Sequence, residues 1–145
     1  MEIALKNVKH AAFMSQETDC FEASVYINGK KAGTVSNDGH GGCNDYHPWT
    51  LYQALKTHCD TIPPDMEGRR VTPDEVIGNL FDAWYSKKQY SKLCKRQTLF
   101  RIPGKEYKEG EWNVAKIPFS PDVRSRLVSQ FGAGVEILND QIGGA

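Results

Sequence analysis

Phe21-Glu22-Ala23-Ser24-Val25-Tyr26-Ile27-Asn28-Gly29-Lys30-Lys31-Ala32-Gly33-Thr34-Val35 decides the fold class. Phe21, Ala23, Val25 and Ile27 alternate with Glu22, Ser24, Tyr26 and Asn28, the period of a strand with one face in a core and the other in water. Asn28-Gly29 supplies two residues that tolerate positive φ, as a type I′ turn requires. Ala32, Thr34 and Val35 then form the returning strand, so an antiparallel hairpin is expected.

Upstream, residues 3–14 supply another strand, with Ile3, Leu5, Ala11 and Phe13 set among polar residues. Downstream, residues 36–48 form a loop dense in turn formers that leads into a helix over 49–58, with Tyr52, Leu55 and Cys59 at helical spacing. Residues 61–70 read as a surface loop. Thr72-Pro73-Asp74-Glu75 then combines a capping hydroxyl, a proline at the first helical position and a glutamate placed to close a capping box. The long helix that starts there carries Val76, Ile77, Leu80, Phe81 and Trp84 on one face and runs towards Leu93 and Cys94. Two strands, 98–102 and 112–117, are expected to pair antiparallel. Ser120-Pro121-Asp122 opens a further helix, with Val123, Leu127, Val128 and Phe131 in a stripe and Gly132 as its stop, before a last strand at 135–138.

Hairpins without repeated βαβ units predict an α+β fold: an antiparallel sheet built from hairpins and packed against one long and two shorter helices. At 145 residues, 39% hydrophobic and 25% charged, the chain can build a core without staples, and a single domain over 1–145 is expected. Separating the region before about residue 60 would leave each part with little core.

No apolar run approaches the roughly 20 residues that cross a bilayer, and Met1-Glu2-Ile3-Ala4 lacks the features of a signal peptide. Cytoplasmic residence without membrane association is the expectation. Cys20, Cys43, Cys59 and Cys94 are scattered and form no C-x-x-C pair, so free thiols are expected in place of a disulfide scaffold or zinc ribbon. Eighteen Lys and Arg balance eighteen Asp and Glu, so the whole molecule has no general attraction to nucleic acid or anionic lipid, and mimicry of DNA is disfavoured. Any charge-driven contact must be local.

Glu17-Thr18-Asp19-Cys20-Phe21-Glu22-Ala23, the hairpin after it, and Ser36-Asn37-Asp38-Gly39-His40-Gly41-Gly42 resemble small uncharacterised accessory proteins of tailed bacteriophages and prophages. The layout of residues 98–139 is similar in the same proteins. The resemblance covers most of the chain and carries over no catalytic residue. It implies a context, the host cell cytoplasm, in which proteins of this size bind and block host machinery, defence systems included.

Two regions are candidates for function. In the Gly-rich loop, Asn37, Asp38, Gly39, His40, Gly41, Gly42 and His47 could grip a nucleotide or a phosphate-bearing signal through backbone N–H groups, sequestering or cleaving it. The loop is neither a Walker A sequence nor a G-x-G-x-x-G fingerprint, and serving only as a connection is its plain structural role. His40-x-x-Cys43-x-x-x-His47, with His58-Cys59, offers metal-ligating types at a spacing that matches no established finger, so no metal is assigned. Cys43 with His40 or His47, and Asp38 or Asp45 to orient the imidazole, is the local nucleophile and base pairing, but nothing shows convergence and no catalytic residue or cofactor is assigned.

The second region is basic: Lys87, Lys88, Lys92, Lys95, Arg96, Arg101, Lys105 and Lys108 face only Glu106. Lys88, Lys92 and Lys95 or Arg96 recur at helical spacing, and Tyr85 and Tyr90 add aromatic contacts. A solvated helix end that complements the macrodipole needs fewer cations than this. The leading expectation is a non-enzymatic protein that binds and inhibits or redirects a host protein or nucleoprotein complex, nucleic-acid-associated defence complexes among them. Its contact residues would be Tyr85, Lys88, Tyr90, Lys92, Lys95, Arg96 and Arg101. A nucleotide-binding protein and a virion or assembly component are the alternatives.

Overall fold

A computed structural model describes residues 1–142. The fold is α+β, and the strands make two antiparallel sheets, of four and three strands. The chain divides into two compact units, Met1–Ala83 and a second that begins at Trp84.

In the first unit, β1 (Ile3–His10), β2 (Cys20–Ile27), β3 (Lys30–Asp38) and β4 (Asp45–His47) lie side by side in chain order. The expected hairpin joins β2 to β3. Ile27 pairs with Lys30, and Asn28 and Gly29 turn the chain at φ 50° and 83°, the two positive values of a type I′ turn. The sheet extends further than the sequence suggests: β3 continues through Ser36 and Asn37 into the loop region, and residues 45–47 add a fourth strand. The segment expected as one strand over 3–14 divides into β1 and a short 3₁₀ turn, Ala12–Met14.

Helix α1 (Trp49–Asp60) buries Leu51, Leu55 and Cys59. These recur at i, i+4 and i+8, whereas Tyr52 lies one position round the helix and stacks its ring on Trp49, 4.6 Å between centroids. Helix α2 (Pro73–Cys94) starts with the expected capping box: the Thr72 hydroxyl accepts from Glu75 N at 3.2 Å, and the Glu75 carboxylate accepts from Thr72 N at 3.1 Å. Those bonds, and the ion pair with Arg69, hold the Glu75 carboxyl below its ordinary range. Ile77 and Phe81 of α2 are buried, as are Val25, Val35 and Leu55, and the Phe81 ring lies 4.8 Å from that of Phe21. Val25, Leu55 and Ile77 are fully buried, and each contributes about 1.5–3 kcal/mol by leaving water.

In the second unit, β5 (Thr98–Arg101) is central, between β6 (Asn113–Ala115) and β7 (Glu136–Ile137), so the two predicted strands do pair antiparallel. Helix α3 (Pro121–Phe131) is capped by the Ser120 hydroxyl, which accepts from Val123 N at 3.2 Å, and it ends as expected at Gly132. Val123 and Leu127 pack with Ile137, flanked by Phe100, Phe119, Phe131 and Val135, while Val128 faces out. Where the sequence suggests a strand through 138, β7 stops at Ile137 and a single turn, α4 (Leu138–Gln141), follows.

Asn139 explains that turn. Its side chain is buried, accepts from Leu99 N at 3.0 Å and donates to the carbonyls of Cys94 and Gln97 at 3.1 and 2.9 Å. One amide thereby satisfies three backbone groups from the end of α2 and the start of β5. Asn139→Ala should cost about 3 kcal/mol in a denaturant titration, because buried polar groups lose their partners. Asp140→Ala, which removes only an exposed ion pair with Arg124, should cost less than about 1 kcal/mol.

Candidate functional site

The Gly-rich loop is organised around a buried side chain. Asn37 Oδ1 accepts from the Thr18 hydroxyl at 2.7 Å and from Gly39 N at 2.9 Å, and its Nδ2 donates to Asn44 Oδ1 at 3.0 Å. His40 N donates to Asp38 Oδ1 at 3.1 Å, and Gly41 N to the Thr18 hydroxyl at 3.3 Å. The Gly39 carbonyl in turn accepts from Gln16 N and Glu17 N, both at 3.0 Å. Three successive amides that a phosphate would need are thus engaged within the loop. Gly39 sits at φ +85° with space for nothing more: a Cβ would lie 2.3 Å from the Met14 carbonyl oxygen. This close approach, and not ligand access, accounts for that glycine.

His40 is exposed and lies 3.6 Å from Asp38, and His47 is exposed on β4. Cys43 is also exposed and makes no hydrogen bond or ion pair with either histidine among the described residues. Among those residues, no three His, Cys, Asp or Glu side chains gather as a metal would require. The four cysteines are unpaired, and burial pushes the thiols of Cys59 and Cys94 up, away from the reactive thiolate.

One constellation escaped the sequence because its members are not in a motif: Ser15 Oγ lies 3.4 Å and Asp19 Oδ1 3.5 Å from His10 Nε2. It is not a catalytic triad. Serine and aspartate approach the same ring nitrogen, whereas a relay needs one on each. The serine hydroxyl also donates to the Ala11 carbonyl at 3.0 Å and accepts from Cys20 N at 2.9 Å. These bonds pin the 3₁₀ turn to the sheet, and the His10 ring packs edge-on against Phe81 at 5.2 Å.

The basic candidates of the second unit separate into two sets. Arg101 is internal to that unit's architecture: its guanidinium lies 3.9 Å over the Trp112 ring, Nε donates to the Glu111 carbonyl at 3.0 Å, and Glu136 lies 3.9 Å away. Tyr90 is similarly held, its hydroxyl donating to the Gly110 carbonyl at 3.1 Å. Lys88, Lys92, Lys95 and Arg96 are exposed near the end of α2, with the Lys88 ammonium 5.0 Å over Trp84, and Tyr85 is on the surface beside them. No ion pair neutralises these four cations among the described residues. Lys92, Lys95 and Arg96, with Leu93 and Gln97, border a recess of about 460 Å³.

The balanced total conceals an uneven distribution. Residues 1–83 hold seven Lys and Arg against twelve Asp and Glu, and the remainder hold eleven against six, so the units carry −5 and +5. Comparison with protein-family models, with curated proteins and with solved structures finds no match to this chain.

Gly39→Ala should lower stability by about 2–5 kcal/mol, because overpacking of about 1–3 kcal/mol adds to a left-handed backbone penalty of about 1–2 kcal/mol at φ +85°. Gly42→Ala, where a Cβ meets nothing within 4 Å, should carry only the left-handed backbone penalty of about 1–2 kcal/mol. Urea melts of the two variants compare them directly.

Proposed function

We propose that this chain is a non-enzymatic binding protein whose second unit applies a cationic helix end to an anionic partner. The observation that carries this is the set Lys88, Lys92, Lys95 and Arg96, exposed and without an ion pair among the described residues. Four clustered cations on a unit of net +5 raise the local concentration of an anionic surface and speed encounter with it. Tyr85 adds a ring for stacking or apolar contact.

In this proposal the protein is a phage accessory factor in the host cytoplasm, and its partner is a host protein or nucleoprotein complex of the kind that defence systems employ. The resemblance to phage and prophage proteins and the local positive charge both favour it. The alternative, a nucleotide held by the Gly-rich loop, is weakened by the internal engagement of the amides at 39–41.

Lys92→Glu with Lys95→Glu tests the proposal, since both side chains are exposed and their replacement leaves the core untouched. Affinity for labelled nucleic acid and for nucleoprotein complexes from host lysate should fall at least about tenfold, the equivalent of 1.4 kcal/mol. Unchanged affinity, with an unchanged circular dichroism spectrum, would remove the patch from the mechanism.

A further inference from the structure

A second recess, of about 540 Å³, lies wholly within the first unit and is independent of the cationic helix end. Three aromatic rings form one side. Trp49 is 62% exposed and stacks on Tyr52 at 4.6 Å, and Tyr52 in turn meets Tyr46 at 5.4 Å and 59°. An exposed indole held by a parallel neighbour is already ordered, so a ligand that covers its other face immobilises little more. Two carboxylates, Asp45 and Asp74, also line it, together with His47, Cys43, Asn44, Thr72 and Pro73, and no Lys or Arg is among its described residues.

The state of Asp74 narrows the ligand class. Its Oδ1 accepts from the Tyr46 hydroxyl at 2.6 Å and its Oδ2 from Asn44 N at 3.3 Å. The carboxylate is fixed and directed at protein donors, so it offers a ligand negative charge more than a directional acceptor. Burial, and then the bond to Asp74, holds the Tyr46 phenol protonated well above the ordinary tyrosine range, so this ring stays neutral. A phosphate-bearing ligand would meet two carboxylates and neither Lys nor Arg. A primary ammonium would find one of the two carboxylates, Asp74, already engaged by protein donors, whereas an N-methylated ammonium needs no acceptor: it requires aromatic faces and nearby negative charge.

We propose that the recess formed by Tyr46, Trp49, Tyr52, Asp45 and Asp74 binds a quaternary or trimethylated ammonium group. Its methyls lie against the exposed Trp49 face, and the two aspartates balance its charge. The group can belong to a free small molecule or to a trimethyl-lysine side chain, and choline and a trimethyl-lysine peptide serve as probes for the two sources.

The test is a titration of the full chain followed by amide and indole NMR resonances, with the Trp49 indole identified from Trp49→Phe. Either probe should shift the Trp49 indole and lining resonances in the millimolar range, and the tighter one identifies the source. The uncharged isostere of choline, 3,3-dimethylbutan-1-ol, should bind at least about tenfold more weakly, because it lacks the cation–π attraction. Asp45→Asn replaces an exposed carboxylate and should weaken binding several-fold, while Trp49→Ala should abolish it. Equal binding of the neutral isostere would overturn the proposal in favour of a plain apolar recess. Tighter binding of adenosine would overturn it in favour of base stacking, and no shift up to about 10 mM of either probe, corresponding to less than 3 kcal/mol of affinity, would overturn it outright.

Discussion

The bond from the Tyr46 hydroxyl to Asp74, 2.6 Å long, fastens the edge of the four-stranded sheet to the first turn of α2. It belongs to a continuous polar chain. Thr18 donates to Asn37, Asn37 to Asn44, and Asn44 N to the second oxygen of the same aspartate. Each member is half-buried or buried, so a missing partner would leave a polar group without water. The glycines at 39, 41 and 42 take left-handed angles within this network. A loop that looks mobile in composition is therefore a fixed clasp between two strands and a helix.

The second unit rests on a comparable device. Asn139 satisfies Leu99 N and the carbonyls of Cys94 and Gln97, so the exit of α2, the central strand and the last turn share one amide. Arg101, lying across Trp112 and near Glu136, closes the other end of that sheet. In the second unit one polar side chain holds three backbone groups, whereas in the first a chain of polar side chains links sheet and helix.

Local signals explain which parts of this were legible in the sequence. Asn28-Gly29 specifies its turn because few residues accept two positive φ values. Thr72 with Glu75, and Ser120 with Pro121, specify helix starts because cap and helix lie within four residues. The α+β class follows from these. Pairings across long separations leave no such trace: Tyr46 and Asp74 are 28 apart, and Asn139 and Leu99 are 40 apart. Among the cations, charge alone cannot distinguish Arg101, engaged by aromatic rings, from Lys92 and Lys95, which face water. The same limit hides the aromatic recess, since Tyr46, Trp49 and Tyr52 look like ordinary helix and strand residues until their rings are placed.

What distinguishes the molecule chemically is charge separation: a net-neutral chain whose two units carry −5 and +5. The central claim is that the unneutralised cations at the end of α2 contact an anionic partner, and its ionic-strength dependence tests it most directly. For duplex nucleic acid contacted by Lys88, Lys92, Lys95 and Arg96, log K against log salt should fall with a slope of about −3 to −4. Removing two of these charges as Lys92→Gln and Lys95→Gln should reduce the slope by about 2. A slope near zero, or one that the double substitution leaves unchanged, would contradict the account.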